Sequence, residues 1–200
     1  MTPWQKHKAE WIDCQRCELC HGRRKVVLLR GSLPCDVLFI AEAPGHSEDD
    51  LGKPLVGPAG HKQDELNDEA LGMAGFRPGE LRLAFTNLVG CIPLDEDGDK
   101  TSEPSVEAVE SCALRLDQIV RMAEPRLIVC LGDLAQVWIM DDLSDGRTKG
   151  KRHLLAWYDG MRAGVVHPAA ILRANQAHRS LMERRAVVRL ANAFKLLKGG

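Results

Sequence analysis

Short apolar runs alternate with longer amphipathic stretches along most of the chain, and this alternation predicts its fold. The longer stretches carry apolar residues at helical spacing, as in 61–74 and 105–122. Strands that alternate with helices favour a parallel sheet covered by helices on both faces. The sequence therefore predicts an α/β fold, a three-layer α/β/α sandwich with a central, mostly parallel four-stranded sheet. The predicted strands are 36–40, 81–89, 127–131 and 164–166, and the further predicted helices are 134–140, 180–197 and part of 8–20.

Polar side chains that can carry chemistry stand at the ends of three predicted strands. Glu42 follows the first strand, Asn87 lies at the end of the second, and His167 follows the last. The loop after the first strand, residues 41–60, is rich in Gly, Pro and carboxylate, and its glycines allow close approach of the backbone to a ligand. Because ligand sites in open α/β sheets lie beyond the carboxyl ends of the strands, we expect the three side chains to converge there.

The composition suits a single domain over residues 1–200 with a sizeable core. With 44% hydrophobic residues but only four Trp, four Phe and one Tyr, that core is predicted to be mostly aliphatic. No apolar run approaches the roughly 18 residues of a membrane span, and the N-terminus lacks the apolar segment of a signal peptide. The net charge of −1 argues against a nonspecific nucleic-acid coat but leaves room for a local basic face. We therefore expect a cytoplasmic, monomeric protein that does not act at a membrane.

Seven cysteines are many for a chain without an export signal, and their odd number argues against a disulfide framework. Cys14, Cys17 and Cys20 are spaced C-x-x-C-x-x-C in a Cys-rich N-terminal segment, residues 1–30. A C-x-x-C pair presents two thiolates on one turn, which suits zinc or an iron–sulfur cluster. Metal or cluster ligation is therefore the leading hypothesis for this segment.

The cysteine site must be completed from elsewhere in the chain, because Arg24 stands where a bacterial ferredoxin run would have its fourth cysteine. Cys91 and Cys112, which bracket an acidic loop of residues 93–105, are the natural candidates. Four thiolates suit both zinc and iron–sulfur, so the spacing leaves both open. It also leaves the two cysteines that flank Cys17 nearly interchangeable as its partner.

Six segments, taken together and in order, resemble a known family. They are C-x-x-C-x-L-x-x-x-R from Cys14 to Arg23, E-A-P-G with the acidic and glycine positions that follow it from Glu42 to Gly57, T-N-x-x-x-C from Thr86 to Cys91, Cys112 itself, L-G-x-x-A from Leu131 to Ala135, and H-P-A-A-I-L-R from His167 to Arg173. Their order and spacing resemble the family 4 uracil-DNA glycosylases, the iron–sulfur members of the uracil-DNA glycosylase superfamily. The resemblance extends from about Cys14 to Leu197 and implies the fold of that superfamily.

The resemblance implies a [4Fe–4S] cluster with a structural role, since base excision moves no electrons. Its ligands would be Cys14, Cys17, Cys91 and Cys112, which leaves Cys20 free. Zinc is the less favoured alternative for the same four thiolates.

The resemblance also implies an activity: hydrolysis of the N-glycosidic bond of uracil in single- or double-stranded DNA, leaving an abasic site. The enzyme would be monofunctional, and it would extrude the nucleotide and hold the base in a pocket. In this scheme Glu42 stabilises the sugar cation or orients water, and His167 donates a hydrogen bond to uracil O2. Asn87 reads O4 and N3–H of the base, which Gly45 and Leu55 also contact.

The segment after the last predicted strand is implied to enter the DNA. Ile171 or Leu172 would fill the gap that the flipped nucleotide leaves, and Arg173 would meet a phosphate. The alternative is that Ile171 and Leu172 are core residues.

Leu55 departs from the family pattern, which has a phenylalanine that stacks on the flipped uracil. Base–aromatic stacking is worth about 1–3 kcal/mol, so leucine is expected to weaken base binding or to admit another base. The alternative function is therefore a superfamily member with altered base specificity or a non-catalytic DNA-binding role. A related variant that links covalently to DNA through a histidine in a basic loop has only a loose counterpart here, in residues 149–153.

Overall fold

The computed structural model describes residues 1–140 and 154–199, and its centre is a five-stranded sheet in the order β1-β3-β2-β4-β5. The strands are β1 (Arg30–Gly31), β2 (Val37–Ala41), β3 (Leu83–Asn87), β4 (Leu127–Leu131) and β5 (Met161–Val165). β2 to β5 are parallel, as the sequence predicts, whereas β1 pairs antiparallel with β3. The sheet thus has one strand more than the four predicted, because a two-residue edge strand is too short to show periodicity.

Helices cover both faces of the sheet and make the predicted three-layer sandwich. They are α1 (Pro3–Trp11), α2 (His46–Leu51), α3 (Pro58–Ala74), α4 (Val106–Ala123), α5 (Asp133–Ile139), α6 (Pro168–Arg173) and α7 (Gln176–Lys195). Side chains of a strand alternate between its faces. Accordingly, Leu38 and Ile40 join a first core cluster with α1, α4 and α5, while Val37 and Phe39 join a second with α3, α6 and α7. Within the described ranges, no helix is long and apolar enough to cross a membrane.

Local chemistry explains where several helices begin and end. α1 begins at a capping box formed by Thr2, and the Ser105 side chain caps the first turn of α4. Gly75, in the left-handed region with φ 76°, ends α3. The predicted partly helical stretch 8–20 is the end of α1 followed by a 3₁₀ turn over Glu18–Cys20, so the cysteine run is not α-helical.

The strand order places a ligand site at the carboxyl edge of the sheet. β2 lies between β3 and β4, so the chain leaves β2 for a strand on one side and later returns on the other. Ligands of open α/β sheets bind at such a switch point. The paired residues Ala41 and Asn87 end β2 and β3 at one level, and Leu131 and Val165 do the same for β4 and β5.

Candidate active site

A cavity of about 460 Å³ opens at the carboxyl edge of the sheet. Its lining includes Glu42 after β2, Asn87 at the end of β3, Gly132 after β4 and His167 after β5. The structure therefore brings the three polar side chains at the predicted strand ends together around one cavity. Residues of the glycine-rich loop, 41–60, form one of its walls.

A single carboxylate, that of Glu48, holds the glycine-rich loop in shape. It accepts hydrogen bonds from the backbone N–H groups of Gly45, Val56 and Gly57 at 3.1, 2.9 and 2.7 Å. Hydrogen bonds to an ionised acceptor are stronger than neutral ones. Glu48 and Gly45 both line the cavity, so the loop presents a fixed wall to a ligand.

Leu55 and Gly60 show how closely this wall is built. Leu55 lines the cavity and has φ 53°, in the left-handed region that few residues other than glycine adopt. A Cβ atom on Gly60 would lie 1.9 Å from the carbonyl oxygen of Leu55, so only glycine permits the approach. The Leu55 side chain thus has a defined place in the wall, where the family resemblance expects a phenylalanine.

Asn87 lines the cavity with an amide group that lacks a partner. The residue is 1% exposed, yet its Nδ2 has no hydrogen-bond partner within residues 1–140 and 154–199. Buried polar groups are nearly always paired. Nδ2 of this cavity-lining residue is therefore a hydrogen-bond donor that a bound ligand could engage.

His167 is positioned as a neutral hydrogen-bond donor. Its Nδ1 accepts a hydrogen bond from the Ala169 N–H at 3.2 Å at the start of α6, which leaves the ring proton on Nε2. Burial, and after it the positive charge of Arg173, lowers the pKa of His167 to about 4, against an opposing effect of Glu48. The imidazole is therefore neutral near pH 7.

Glu42 is a partly buried carboxylate whose pKa is shifted upwards, whereas that of His167 is shifted downwards. Burial raises the pKa of Glu42 above its usual range, the negative charge of Glu103 raises it further, and Arg173 opposes the rise. Glu103 and Arg173 line the same cavity as Glu42. The charges of Glu103 and Arg173 therefore act on the Glu42 carboxylate in opposite directions.

Four cysteines from three parts of the chain meet in the first core cluster. Cys91 and Cys112 are buried members of it, and the partly buried Cys14 and Cys17 pack against it. These four are called the cysteine set below. Within the described chain, Cys20 is not among the residues that pack in this cluster.

Charge interactions link members of the cysteine set in pairs, Cys17 with Cys14 and Cys112, and Cys91 with Cys112 and Cys17. Burial raises the pKa of Cys17, and Cys112 and Cys14 raise it further. Burial also raises the pKa of Cys91 to about 12, a shift that Arg23 opposes and that Cys112 and Cys17 increase. In the described ranges, no three His, Cys, Asp or Glu side chains are grouped closely enough to hold a single metal ion.

Two guanidinium groups lie beside the cysteine set. Arg23 and Arg115 both act electrostatically on Cys91. Nη1 of Arg23 and Nε of Arg115 are buried and have no hydrogen-bond partner among the residues described. Unpartnered N–H donors next to four thiol groups fit an anionic thiolate-bound cluster, whose sulfur atoms accept hydrogen bonds.

Comparisons with known proteins agree with this architecture. The sequence model of the uracil DNA glycosylase superfamily matches residues 30–191. The chain belongs to this superfamily. It is similar to the type-4 uracil-DNA glycosylase of Pyrobaculum aerophilum, with 35% identity over 173 residues that cover 80% of each chain. The enzymes of the same name from Archaeoglobus fulgidus (33% identity, 82% of this chain and 80% of the relative) and Sulfurisphaera tokodaii (28%, 86% and 77%) are also similar.

In this uracil-DNA glycosylase superfamily member, the segment implied to enter DNA divides into buried and exposed residues. Ile171 is 0% exposed and packs in the second core cluster. Leu172 is partly buried, and Arg173 is exposed and lines the cavity. Nη2 of Arg179 donates to the Leu172 carbonyl at 2.6 Å and so ties this turn to α7.

Glu48 and Glu103 line the cavity of the superfamily member, yet the sequence patterns gave neither residue a role. Glu103 belongs to the acidic loop, residues 93–105, which follows β3 at the same sheet edge as the other site residues. Its position in the sequence, in a loop that follows a predicted strand, could have indicated a role for Glu103, since loops at this edge carry ligand-binding groups. The basic stretch 149–153, in contrast, lies outside the described residues.

Proposed function

We propose that this protein removes uracil from DNA by hydrolysing the N-glycosidic bond, leaving an abasic site. One observation carries the proposal: an unpaired buried amide, a neutral imidazole and a carboxylate line one cavity. A glycosylase must extrude its nucleotide from the duplex and hold the base in such a pocket. The type-4 uracil-DNA glycosylase names of the relatives support uracil as the base.

Asn87 and His167 would recognise different groups of the base. The Asn87 amide offers a donor to uracil O4 and an acceptor to N3–H. Cytosine has an amine in place of O4 and no N3–H, so the same amide discriminates against it. The Nε2–H of neutral His167 donates to uracil O2 and stabilises the charge that develops there as the bond breaks.

Glu42 would act on the sugar side of the scissile bond. Its carboxylate stabilises the positive charge that develops on the sugar, or orients the attacking water. Of the described residues, no lysine lines the cavity. This supports hydrolysis in place of Schiff-base chemistry, and hence a monofunctional enzyme.

The cysteine set would hold a [4Fe–4S] cluster. The zinc alternative is disfavoured, because no three His, Cys, Asp or Glu side chains in the described ranges are grouped for a single ion. The four thiols and the unpartnered guanidinium N–H donors of Arg23 and Arg115 support this assignment. When bound, the cluster supplies a structural cross-link between the N-terminal segment, β3 and α4. Cys14 packs against the first core cluster, which contains Cys91 and Cys112, whereas Cys20 does not. This difference supports Cys14 as the fourth ligand.

Leu55 supports one alternative within the same fold. A leucine in the cavity wall offers no ring for stacking, which favours a changed base preference or a non-catalytic DNA-binding role. In either case the protein is proposed to be a single domain over residues 1–200 that works as a monomer in the cytoplasm, where thiols stay reduced.

Purified protein tests the function directly. It is incubated with single-stranded, U:A and U:G oligonucleotides and with a thymine control, and alkali then cleaves any abasic site. We expect uracil-dependent cleavage, with a rate loss of roughly 10²–10³ in His167→Ala and a comparable loss in Glu42→Ala. The exposed residues His178 and Glu69 provide matched controls, and their alanine variants should keep the full rate. No release of uracil by the wild type would reject the proposed function, and equal rates in all four variants would reject the roles of Glu42 and His167.

A further inference from the structure

Arg115 lies between the cysteine set and the end of β3. It follows Cys112 by three residues on α4, so the two side chains project from the same helix face. Arg115 is 0% exposed, and within the described chain it forms no ion pair with a carboxylate. Burying a charge without a counter-charge is strongly unfavourable. Its environment therefore lacks an anion that the fold leads one to expect.

One end of the Arg115 side chain holds the strand that carries Asn87. Nη2 donates to the carbonyl oxygens of Asn87 and Leu88 at 2.5 and 2.9 Å, and Nη1 lies 3.4 Å from the Thr86 hydroxyl. These contacts fix the backbone at the carboxyl end of β3. The orientation of the Asn87 amide in the cavity depends on that backbone.

The other part of the guanidinium lies beside the backbone segment that carries Cys91. Nε has no hydrogen-bond partner in the described residues, and a Cβ atom on Gly90 would lie 3.3 Å from it. Gly90 directly precedes Cys91, on which the charge of Arg115 acts. The unpartnered Nε of Arg115 thus lies beside the residue that precedes a member of the cysteine set, where an anionic group would also balance the buried charge.

We propose that Arg115 is a positioning residue that couples the anionic group held by the cysteine set to the base-reading Asn87. The inference rests on the proposed cluster of the preceding section and extends it. The cluster neutralises the guanidinium, and the guanidinium in turn holds the Asn87 and Leu88 carbonyl groups. Loss of Arg115 then changes both the cluster and the recognition of uracil.

The sign of the effect on the cluster follows from charge. Reduction adds a negative charge to the cluster, and a nearby cation favours that state. Arg115→Gln should therefore lower the reduction potential of the cluster, while Arg115→Lys, which keeps the charge, should change it less. Both variants lose the combined contacts of Nη2 with the Asn87 and Leu88 carbonyls and of Nη1 with the Thr86 hydroxyl, because lysine lacks the guanidinium fork.

The test uses the purified holoprotein, with wild type, Arg115→Gln and Arg115→Lys compared. The reduction potential is measured by spectroscopic titration, and kcat and KM are measured on uracil-containing oligonucleotides. We expect a lowered potential in Arg115→Gln, and a loss of kcat/KM of about 10–100-fold in both variants, the range typical of outer-shell partners.

Two further arginines separate the two parts of the proposal. Arg23 acts on Cys91 but, within the described chain, forms no hydrogen bond with residues 86–88. Arg23→Gln should lower the potential, and its kcat/KM should fall clearly less than that of Arg115→Gln. Arg121 is exposed on the same helix as Arg115, paired with Asp117, and Arg121→Gln should change neither quantity.

The outcomes distinguish this inference from the proposed function. If the wild type contains a cluster and releases uracil while both Arg115 variants behave like Arg121→Gln, the coupling is refuted and the function stands. If the wild type releases uracil without any cluster, the cofactor assignment and the coupling are refuted together. If Arg115→Gln does not fold, Arg115→Lys decides, since unchanged kcat/KM in it contradicts the proposal.

Discussion

The glycine-rich loop and the region around the cysteine set both depend on polar groups, but of the two, within the described chain, only the cysteine region has buried side-chain donors without a hydrogen-bond partner. In the loop, Glu48 accepts three backbone hydrogen bonds, and Asp49 accepts others from the N–H groups of residues 24 and 25. Around the cysteine set, one N–H each of Arg23 and Arg115 has no partner among the described residues. The loop is thus complete as a polypeptide, whereas the cysteine region is complete only with a further group.

Asn87 lies at the junction of these two regions. Its carbonyl oxygen accepts a hydrogen bond from Arg115, and its side-chain Nδ2 is unpaired beside the cavity. The two sides of the base pocket therefore depend on different contacts. The close packing of Gly60 against the Leu55 backbone shapes one wall, and Arg115, beside the cysteine set, holds the backbone of Asn87 on the other side. Variants in the two regions should therefore fail in different ways.

The largest expected effect is that of Cys112→Ala, which removes one ligand of the proposed cluster. We expect loss of the absorption at roughly 400 nm and a loss of unfolding free energy of about 4 kcal/mol or more, as for the loss of a structural metal site. Guanidinium unfolding and the visible spectrum measure the two quantities. Cys35→Ala is the matched control, since Cys35 is also buried but is not in the cysteine set. A spectrum unchanged in Cys112→Ala would contradict the assignment.

Gly60→Ala should disrupt the glycine-rich loop and leave the proposed iron–sulfur cluster intact. The new Cβ would meet the Leu55 carbonyl, so the loop must move, at an expected cost of about 3 kcal/mol or more. Uracil release should be lost while the visible spectrum persists.

Gly72 provides the matched control, because it lies on the same helix, α3, and a new Cβ atom there would have no neighbour within 4 Å among the described residues. Gly72→Ala should therefore be neutral or stabilise the fold by up to about 1 kcal/mol. Equal effects of the two substitutions would show that the close approach is unimportant.

The parallel sheet and the strand-end residues could be predicted from the sequence because each rests on a local rule. Apolar runs such as 127–131 predict buried strands, and the switch-point rule places Glu42, Asn87 and His167 at one edge. The short elements could not be predicted in this way. β1 has two residues, and α2 and α6 have six each, too few to show a period.

The polar details of the site could not be predicted because they depend on contacts between distant parts of the chain. Glu103 affects Glu42 across the cavity, although the two residues lie far apart in the sequence. Ile171 has the same apolar character as Leu172, and only the packing of α6 on the second core cluster distinguishes them. The unpaired atoms of Asn87 and Arg115 are likewise visible only when their neighbours are known.

Leu55→Phe tests whether the fixed wall of the cavity can be improved. A phenyl ring should stack on the flipped base and contribute about 1–3 kcal/mol, which corresponds to a gain in kcat/KM of roughly 5- to 150-fold on uracil-containing DNA. Phenylalanine, like leucine, is unbranched at Cβ, so the left-handed backbone gains little further strain. The neighbouring Leu51 is exposed, and Leu51→Phe should leave kcat/KM unchanged. A loss of rate in Leu55→Phe would indicate that the cavity is built for another base.

The smallest effects concern the pH dependence of uracil release. If ionised Glu42 is the active form, the rate falls as the pH drops through the pKa of Glu42, which burial and the charge of Glu103 hold above its usual range. Glu103→Gln removes a negative charge, lowers that pKa and should move the acidic limb of kcat to lower pH.

Arg173→Gln should move the acidic limb of kcat in the opposite direction. Removal of the guanidinium raises the pKa of Glu42, and it also raises the pKa of His167 from about 4, so that both groups take up a proton at higher pH. Protonated His167 no longer accepts the hydrogen bond from Ala169 at Nδ1. Single-turnover rates at saturating DNA across the acidic range measure both limbs. If Glu42 is the group that titrates, the acidic limb moves to lower pH in Glu103→Gln and to higher pH in Arg173→Gln, because the two charges act on its pKa in opposite directions. Movement of the limb in the same direction in both variants would exclude Glu42.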